Sequence, residues 1–394
     1  MTTPAVLRVF DTPIGVLESM GMSDALPGTP TPTTARVAAD NGSLVVQRLW
    51  WAARFLLALF LFIGALQVMK TGAAALSILN NDGFLVRNAA ATLGLGWLGA
   101  LLVLSGSPVA AAALTLVAAG SITEIEGFAM LTGSRLGAAF VVLLVAVLYA
   151  LRGGEGNRMA PVSTAVMALS ATAVIYIPGS ILAFFLLKWG PYHSLNLSFP
   201  AQFGDLIDLI YGGLLARIED LPSAVLFLGG LGILLLSFKL LDSVVPEFSD
   251  EQIESSRLSW LKKKWPMFAL GCLVALIAMS VSVALTILVP LVSKGYVKRE
   301  HILPYIMGAN ITTLGDTLLA AFLLNSGAAV RIVLAGIAGT TVVSLILLAF
   351  FYPQLQSAIW KFQRQIVKSK PRLAIFTATL FLVPVSILVA GGLS

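Results

Sequence analysis

Between Met279 and Thr317, two apolar runs are interrupted by oxygen-bearing side chains. Ser280, Ser282 and Thr286 break the first run, and Asn310, Thr312, Thr313, Asp316 and Thr317 break the second. At membrane depth hydroxyls, amides and carboxylates find no partner in lipid, so they need partners inside the protein. Such residues mark a substrate or ion site by default. The oxygens of Asn310, Thr312, Thr313 and Thr317 suit a hard cation such as sodium, because carbonyl and hydroxyl ligands need no deprotonation. Asp316 would serve as an ion ligand or a proton carrier. Two plainer readings stand beside these: a hydrogen-bond network between helices for the four neutral residues, and a structural ion pair with Arg135 for Asp316.

A similar stretch lies 175 residues earlier. At that offset Ser105 falls on Ser280, Ser107 on Ser282, Gly96 on Gly271, Gly120 on Gly295 and Gly133 on Gly308. Eleven of the forty-five positions 94–138 are identical to their partners, and the serine pair and glycines count for more than the shared leucines and alanines. Pro108 follows Ser105 and Ser107 inside an apolar run, where proline breaks a helix. Four serines at two helix breaks would offer hydroxyls beside exposed N–H groups and positive helix ends, a setting that favours an anion. The alternative is that they only allow close helix packing or bond back to the preceding turn. Arg135 could bind the anion, replace a cation with its fixed charge, or snorkel to the interface. Its place near the start of an apolar segment favours snorkelling.

These residues must be held by membrane helices. The chain is 58% hydrophobic and 11% charged, where a soluble protein is nearer a quarter charged. It therefore reads as a multi-pass membrane protein. The single cysteine, Cys272, excludes an internal disulfide and a Cys-based metal site, and His193 and His301 are too far apart for a zinc motif. No nucleophile–base constellation is visible, so an enzyme is the least favoured class. The net charge of +6 sits in short clusters beside apolar runs, without the aromatic interleaving of a nucleic-acid surface.

Residues 1–48 read as a disordered cytoplasmic tail, with PGTPTPTT at 27–34. Full spans are expected at 50–69, 133–151, 160–188, 222–241, 303–325, 328–352 and 373–393. The run 266–293 has lysines at both ends, Lys262 to Lys264 before it and Lys294, Lys298 and Arg299 after. If both ends face the cytoplasm, the run is a re-entrant hairpin. Glu124 stands where the second copy has Arg299, as expected if the first hairpin, within 94–119, enters from outside. The alternative is that each hairpin is one long tilted span. The resulting domain map is a first repeat at 49–188, an extracytoplasmic loop at 189–221, an inverted second repeat at 222–352, and a basic loop with a final span at 353–394. Glu124 and Glu126 read as solvated loop charges, and Arg331 as a span-end marker. The fold class is all-α, with seven full spans, two hairpins and two inverted repeats. That is an architecture of secondary transporters, whose site lies where the breaks meet.

The sequence resembles the type II sodium/phosphate cotransporters and their bacterial relatives. That family carries a Gln-Ser-Ser-Ser motif in each hairpin and a Gly-Ala-Asn-Ile-Gly-Thr-Thr motif downstream. GANITT at 308–313 is similar to the second motif, and GSRLGAA at 133–139 to an eroded first copy of it. LSGS at 104–107 and MSVS at 279–282 resemble eroded serine motifs, and GALQVMKTG at 64–72 and LSFKLLDSV at 236–244 resemble the helix before each hairpin. The resemblance covers about 50–350. Leu104 and Met279 replace glutamine, Gly106 and Val281 replace the central serine, and Arg135 stands where asparagine is expected.

The resemblance implies sodium-coupled symport of inorganic phosphate or a similar oxyanion across the cell membrane, with the amino terminus in the cytoplasm. Sodium would be the coupling ion and no cofactor is implied. Ser105, Ser107, Ser280, Ser282 and Arg135 would meet the substrate, and Asn310, Thr312, Thr313, Asp316 and Thr317 the cation. Membrane lipid is the remaining partner. A permease with another substrate or proton coupling through Asp316, and a scaffold or sensor without transport, remain as alternatives.

Overall fold

The computed structural model describes residues 33–76, 84–151, 159–195, 201–243, 263–278, 284–285 and 301–394. Ser280, Ser282, Thr286 and the tail up to residue 32 lie outside the described residues, as do Lys262, Lys294, Lys298 and Arg299. The chain divides into two compact units, Met1–Ala52 and Ala53–Ser394. Of the first, only the helical residues 33–52 are described. All regular structure among the described residues is helical: α1 (Thr33–Leu76), α2 (Ala89–Val103), α3 (Ser107–Ala118), α4 (Glu124–Ala138), α5 (Phe140–Leu151), α6 (Ala160–Lys188), α7 (Ala201–Ile218), α8 (Ser223–Asp242), α9 (Lys264–Ala278), α10 (Ile302–Thr312), α11 (Leu314–Leu323), α12 (Gly327–Phe350), α13 (Tyr352–Val367) and α14 (Lys370–Leu393).

Among the described residues, seven stretches are long and apolar enough to cross a membrane: Leu49–Ala74, Glu124–Leu148, Met159–Lys188, Ser223–Asp242, Ile302–Leu323, Gly327–Phe350 and Lys370–Leu393. They fall where hydropathy predicts the seven spans. Between them lie α2, α3 and α9, each shorter than the roughly 20 residues a crossing needs.

Four segments differ from the sequence expectation. Residues 33–48, read as part of a disordered tail, are helical and open α1 at Thr33. The span predicted from residue 133 starts at Glu124, because Thr123 accepts a hydrogen bond from the Glu126 N–H while the Glu126 carboxylate accepts one from the Thr123 N–H. That reciprocal cap turns the polar SITEIEG segment into a helix start. The polar connection 189–221 contains α7, in which Asp205 and Asp208 lie one helical turn apart and Leu206, Leu209, Ile210 and Leu214 are exposed. Its Tyr211 hydroxyl donates to the Phe60 carbonyl at 2.9 Å. The basic stretch expected as a loop contains α13, with Leu355 and Ile359 buried and Lys361 and Arg364 exposed. Here the cations occupy one stripe of an amphipathic helix.

The 175-residue offset reappears in the packing. Glycines in α2 and α4 let their backbones touch: a Cβ on Gly96 would lie 2.1 Å from the Met130 carbonyl oxygen, and one on Gly133 would lie 2.1 Å from that of Leu93. In α9 and α10 the same approach recurs, with a Cβ on Gly271 2.1 Å from the Tyr305 oxygen and one on Gly308 2.1 Å from that of Phe268. Met130 and Tyr305, and Leu93 and Phe268, are partners at the same offset. Small residues at helix contacts are how membrane helices approach closely, since lipid supplies no hydrophobic drive between them.

Candidate functional site

The break between α2 and α3 sits against α4. α2 ends at Leu104, which holds the left-handed conformation at φ 57°, and α3 begins at Ser107 with proline in its first turn. A Cβ on Gly106 would lie 2.8 Å from the Ser134 carbonyl oxygen, so the turn rests on the residue before Arg135. Ser107 is buried and Ser105 half-buried at this break.

Arg135 does not snorkel. It lies well inside the Glu124–Leu148 span and is 2% exposed. Its Nη2 stands 3.4 Å from Asp316 Oδ1 and donates to the Thr317 hydroxyl. The Thr317 hydroxyl in turn donates to Asp316 Oδ1 at 2.8 Å. Arg135 falls in the last turn of α4 and Asp316 in the first turn of α11, so each charge faces the helix end whose dipole suits it. The contact is still one-armed. Charge-assisted N–H···O bonds usually measure about 2.7–2.9 Å and are often bidentate for arginine. Arg135 Nε and Nη1 and Asp316 Oδ2 are buried with no hydrogen-bond partner among the described residues.

Asn310, the repeat partner of Arg135, lies in a separate set of bonds. Its side-chain amide donates to the Thr172 hydroxyl at 3.1 Å. Its carbonyl accepts from the Tyr176 hydroxyl at 2.5 Å and the Thr313 hydroxyl at 3.1 Å. Thr312 points elsewhere: its hydroxyl donates to the Cys272 carbonyl at 2.9 Å and bonds α10 to α9. Of the residues expected to meet a cation, Asp316 and Thr317 therefore share one cluster with Arg135. Asn310 and Thr313 share another, and Thr312 stands with the helix contact. The first cluster matches the plain ion-pair reading of Asp316, and the second the hydrogen-bond network between helices.

Thr172 and Tyr176 on α6 were not singled out in the sequence. They are two hydroxyls one helical turn apart, but Ser163, Thr164, Ser170 and Ser180 lie in the same span and mask the signal. Asp242, at the end of α8, lies within electrostatic range of Asp316 and was missed for a different reason, because it reads as the start of an acidic loop. Glu124 is not a free loop charge: its carboxylate accepts from Arg331 at 2.9 Å and 3.3 Å and ties the start of α4 to α12.

Replacing Thr172 by valine is expected to leave the buried Asn310 amide without its partner. That costs about 1–3 kcal/mol, to be read as a lower melting temperature of purified protein, while Thr172→Ser stays near wild type.

A cavity of ≈ 360 Å³ opens between α2, α6, α13 and α14. Its walls include Leu169, Ile359, Phe376 and Leu380, which suit hydrocarbon rather than an oxyanion. Among the described residues no group of three His, Cys, Asp or Glu side chains could hold a metal ion.

Among the described residues, seven stretches long and apolar enough to cross a membrane, with charged and hydroxyl side chains buried among them, support a multi-pass membrane protein. Residues 233–383 match the family model described as Na+/Pi-cotransporter, which supports the family that the sequence motifs resemble and a transporter rather than an enzyme. No curated protein and no solved structure matches the chain.

Proposed function

We propose that the protein is a secondary transporter of the cell membrane that couples inorganic phosphate, or a similar oxyanion, to an inward sodium gradient. The observation that carries this reading is the buried Arg135–Asp316–Thr317 cluster. A guanidinium and a carboxylate held mid-span are costly to keep, and side chains of this kind mark ion and substrate paths.

Two inverted repeats, each with a re-entrant hairpin, would frame the site. The matched glycine contacts of α2–α4 and α9–α10 support a repeat, and the short helices α2, α3 and α9 are of the length that hairpin arms need. The anion would meet the Ser105 and Ser107 hydroxyls and the Arg135 guanidinium, joined by Ser280 and Ser282 from the second break. The cation would meet the oxygens of Asp316 and Thr317, with Asn310, Thr312 and Thr313 nearby. In this arrangement the amino terminus is cytoplasmic, and rocking of one repeat against the other exposes the site to each side in turn.

The test is uptake of labelled phosphate into liposomes holding the purified full chain. An imposed inward sodium gradient is expected to drive accumulation, and Asp316→Ala to reduce it at least tenfold. Accumulation that follows a proton gradient instead would replace sodium by a proton at Asp316. No uptake of phosphate, arsenate or sulfate under either gradient, from folded protein, would overturn oxyanion symport and leave the permease for another substrate and the scaffold as the readings.

A further inference from the structure

We infer that coupling works by partner exchange: sodium takes the Asp316 carboxylate away from Arg135, and the freed Arg135 guanidinium takes the oxyanion. The inference rests on the symport reading above and specifies how two ions come to need each other.

The geometry provides for two partners on each side. Arg135 spends only Nη2 on Asp316 and Thr317, and keeps Nε and Nη1 buried and unpartnered among the described residues. Nε shares an edge of the guanidinium with Nη2, the fork with which it grips an oxyanion through two bonds, so that fork is complete only once Nη2 is released from Asp316. Asp316 likewise engages through Oδ1 alone and keeps Oδ2 unpartnered. Thr317 sits between the two charges as acceptor from one and donor to the other, so its hydroxyl can stay bonded when the charges part. Among the described residues, Tyr176 and Asp242 lie within electrostatic range of the pair. The Tyr176 hydroxyl is engaged with the Asn310 carbonyl, and Asp242 adds negative potential that would help draw a cation to Asp316.

Energetics then enforce the coupling. A buried charge without a counter-charge is strongly destabilising. With no ions bound, Arg135 and Asp316 answer each other and the site is neutral. An oxyanion alone would leave Asp316 bare, and sodium alone would leave Arg135 bare. Only both together give each charge a new partner. Singly loaded states are therefore disfavoured, and the empty and fully loaded states are the ones able to move through the membrane. The repeat underlines the specialisation, because the same position carries a charge in one copy, Arg135, and a neutral amide in the other, Asn310.

Equilibrium binding of labelled phosphate to the purified full chain, measured with and without sodium, tests this. Wild type is expected to bind phosphate at least tenfold tighter in sodium. In Asp316→Asn the guanidinium is already free, so phosphate should bind without sodium at least tenfold tighter than to sodium-free wild type. Arg135→Gln should lose phosphate binding while sodium still raises its melting temperature. Should the variants fail to fold, infrared difference spectra of wild type carrying 15N-arginine provide the readout, and sodium and phosphate together should shift a guanidinium band. Asp316→Asn that still needs sodium to the wild-type extent, Arg135→Gln that still binds phosphate, or no guanidinium shift would each overturn partner exchange and leave symport standing. Wild type that binds no phosphate with or without sodium would overturn both.

Discussion

Alanine at Gly308, or at its repeat partner Gly133, is expected to prevent the helices from assembling, whereas alanine at Gly229 leaves the protein intact. In an isolated helix all three changes would be favourable by about 1 kcal/mol, because alanine is the better helix former. Tertiary contact decides the sign. A Cβ at Gly308 would lie 2.1 Å from the Phe268 carbonyl oxygen, and one at Gly133 2.1 Å from that of Leu93, whereas one at Gly229 meets nothing within 4 Å. The obstacles are backbone atoms in neighbouring helices, so no side chain can swing aside. Overpacking usually costs about 1–3 kcal/mol, and a rigid backbone clash should reach the upper end or beyond. Size-exclusion profiles and melting temperatures of the three purified variants would check this. A stable, monodisperse Gly308→Ala protein would show that α9 and α10 do not meet as described.

The second large effect is a reversal on double substitution. Asp316→Ala leaves the Arg135 guanidinium buried at the centre of a span without its counter-charge, and should lower stability by about 3–5 kcal/mol. Removing both charges, with Arg135→Met and Asp316→Leu together, should restore most of that loss, because a buried ion pair often does no better for stability than hydrocarbon of similar volume. The double variant is thus expected to be more stable than the single one and inactive in uptake. Thermal unfolding in detergent of wild type, both singles and the double closes the cycle. Additive losses would mean that the two charges do not depend on each other.

Much of this organisation could be read from residue order, because the membrane simplifies the rules. Long apolar runs locate the spans, and Ser-Gly-Ser-Pro at 105–108 locates a helix break. The offset that aligns Gly96 with Gly271 and Gly133 with Gly308 proved to be an offset of contacts as well as letters. What could not be read depended on partners distant in sequence. Arg135 looked able to reach the interface because its span was expected to start at residue 133. The Thr123–Glu126 cap moves that start to Glu124 and places the arginine mid-span. α7 and α13 were hidden by charges, which signal a loop in a composition window and one stripe of a helix in three dimensions. Thr312 and Thr313 are adjacent and alike, yet one hydroxyl joins α10 to α9 and the other caps the Asn310 carbonyl. Only the direction of the helix faces separates their roles.

The conformation of Leu104 bears on how a guest would be received. A leucine at φ 57° pays roughly 1–2 kcal/mol relative to ordinary backbone. The fold therefore imposes this turn, through Gly106 lodged against Ser134 and the fixed ring of Pro108. Ordering a loose loop around an arriving ion would cost about 1–2 kcal/mol for each residue fixed. Here that entropy is already lost when the chain folds, so the Ser105–Ser107 turn is preorganised. If an anion binds this turn, as proposed above, discrimination would fall to its shape and hydration, because a rigid rim would not close down on a smaller guest.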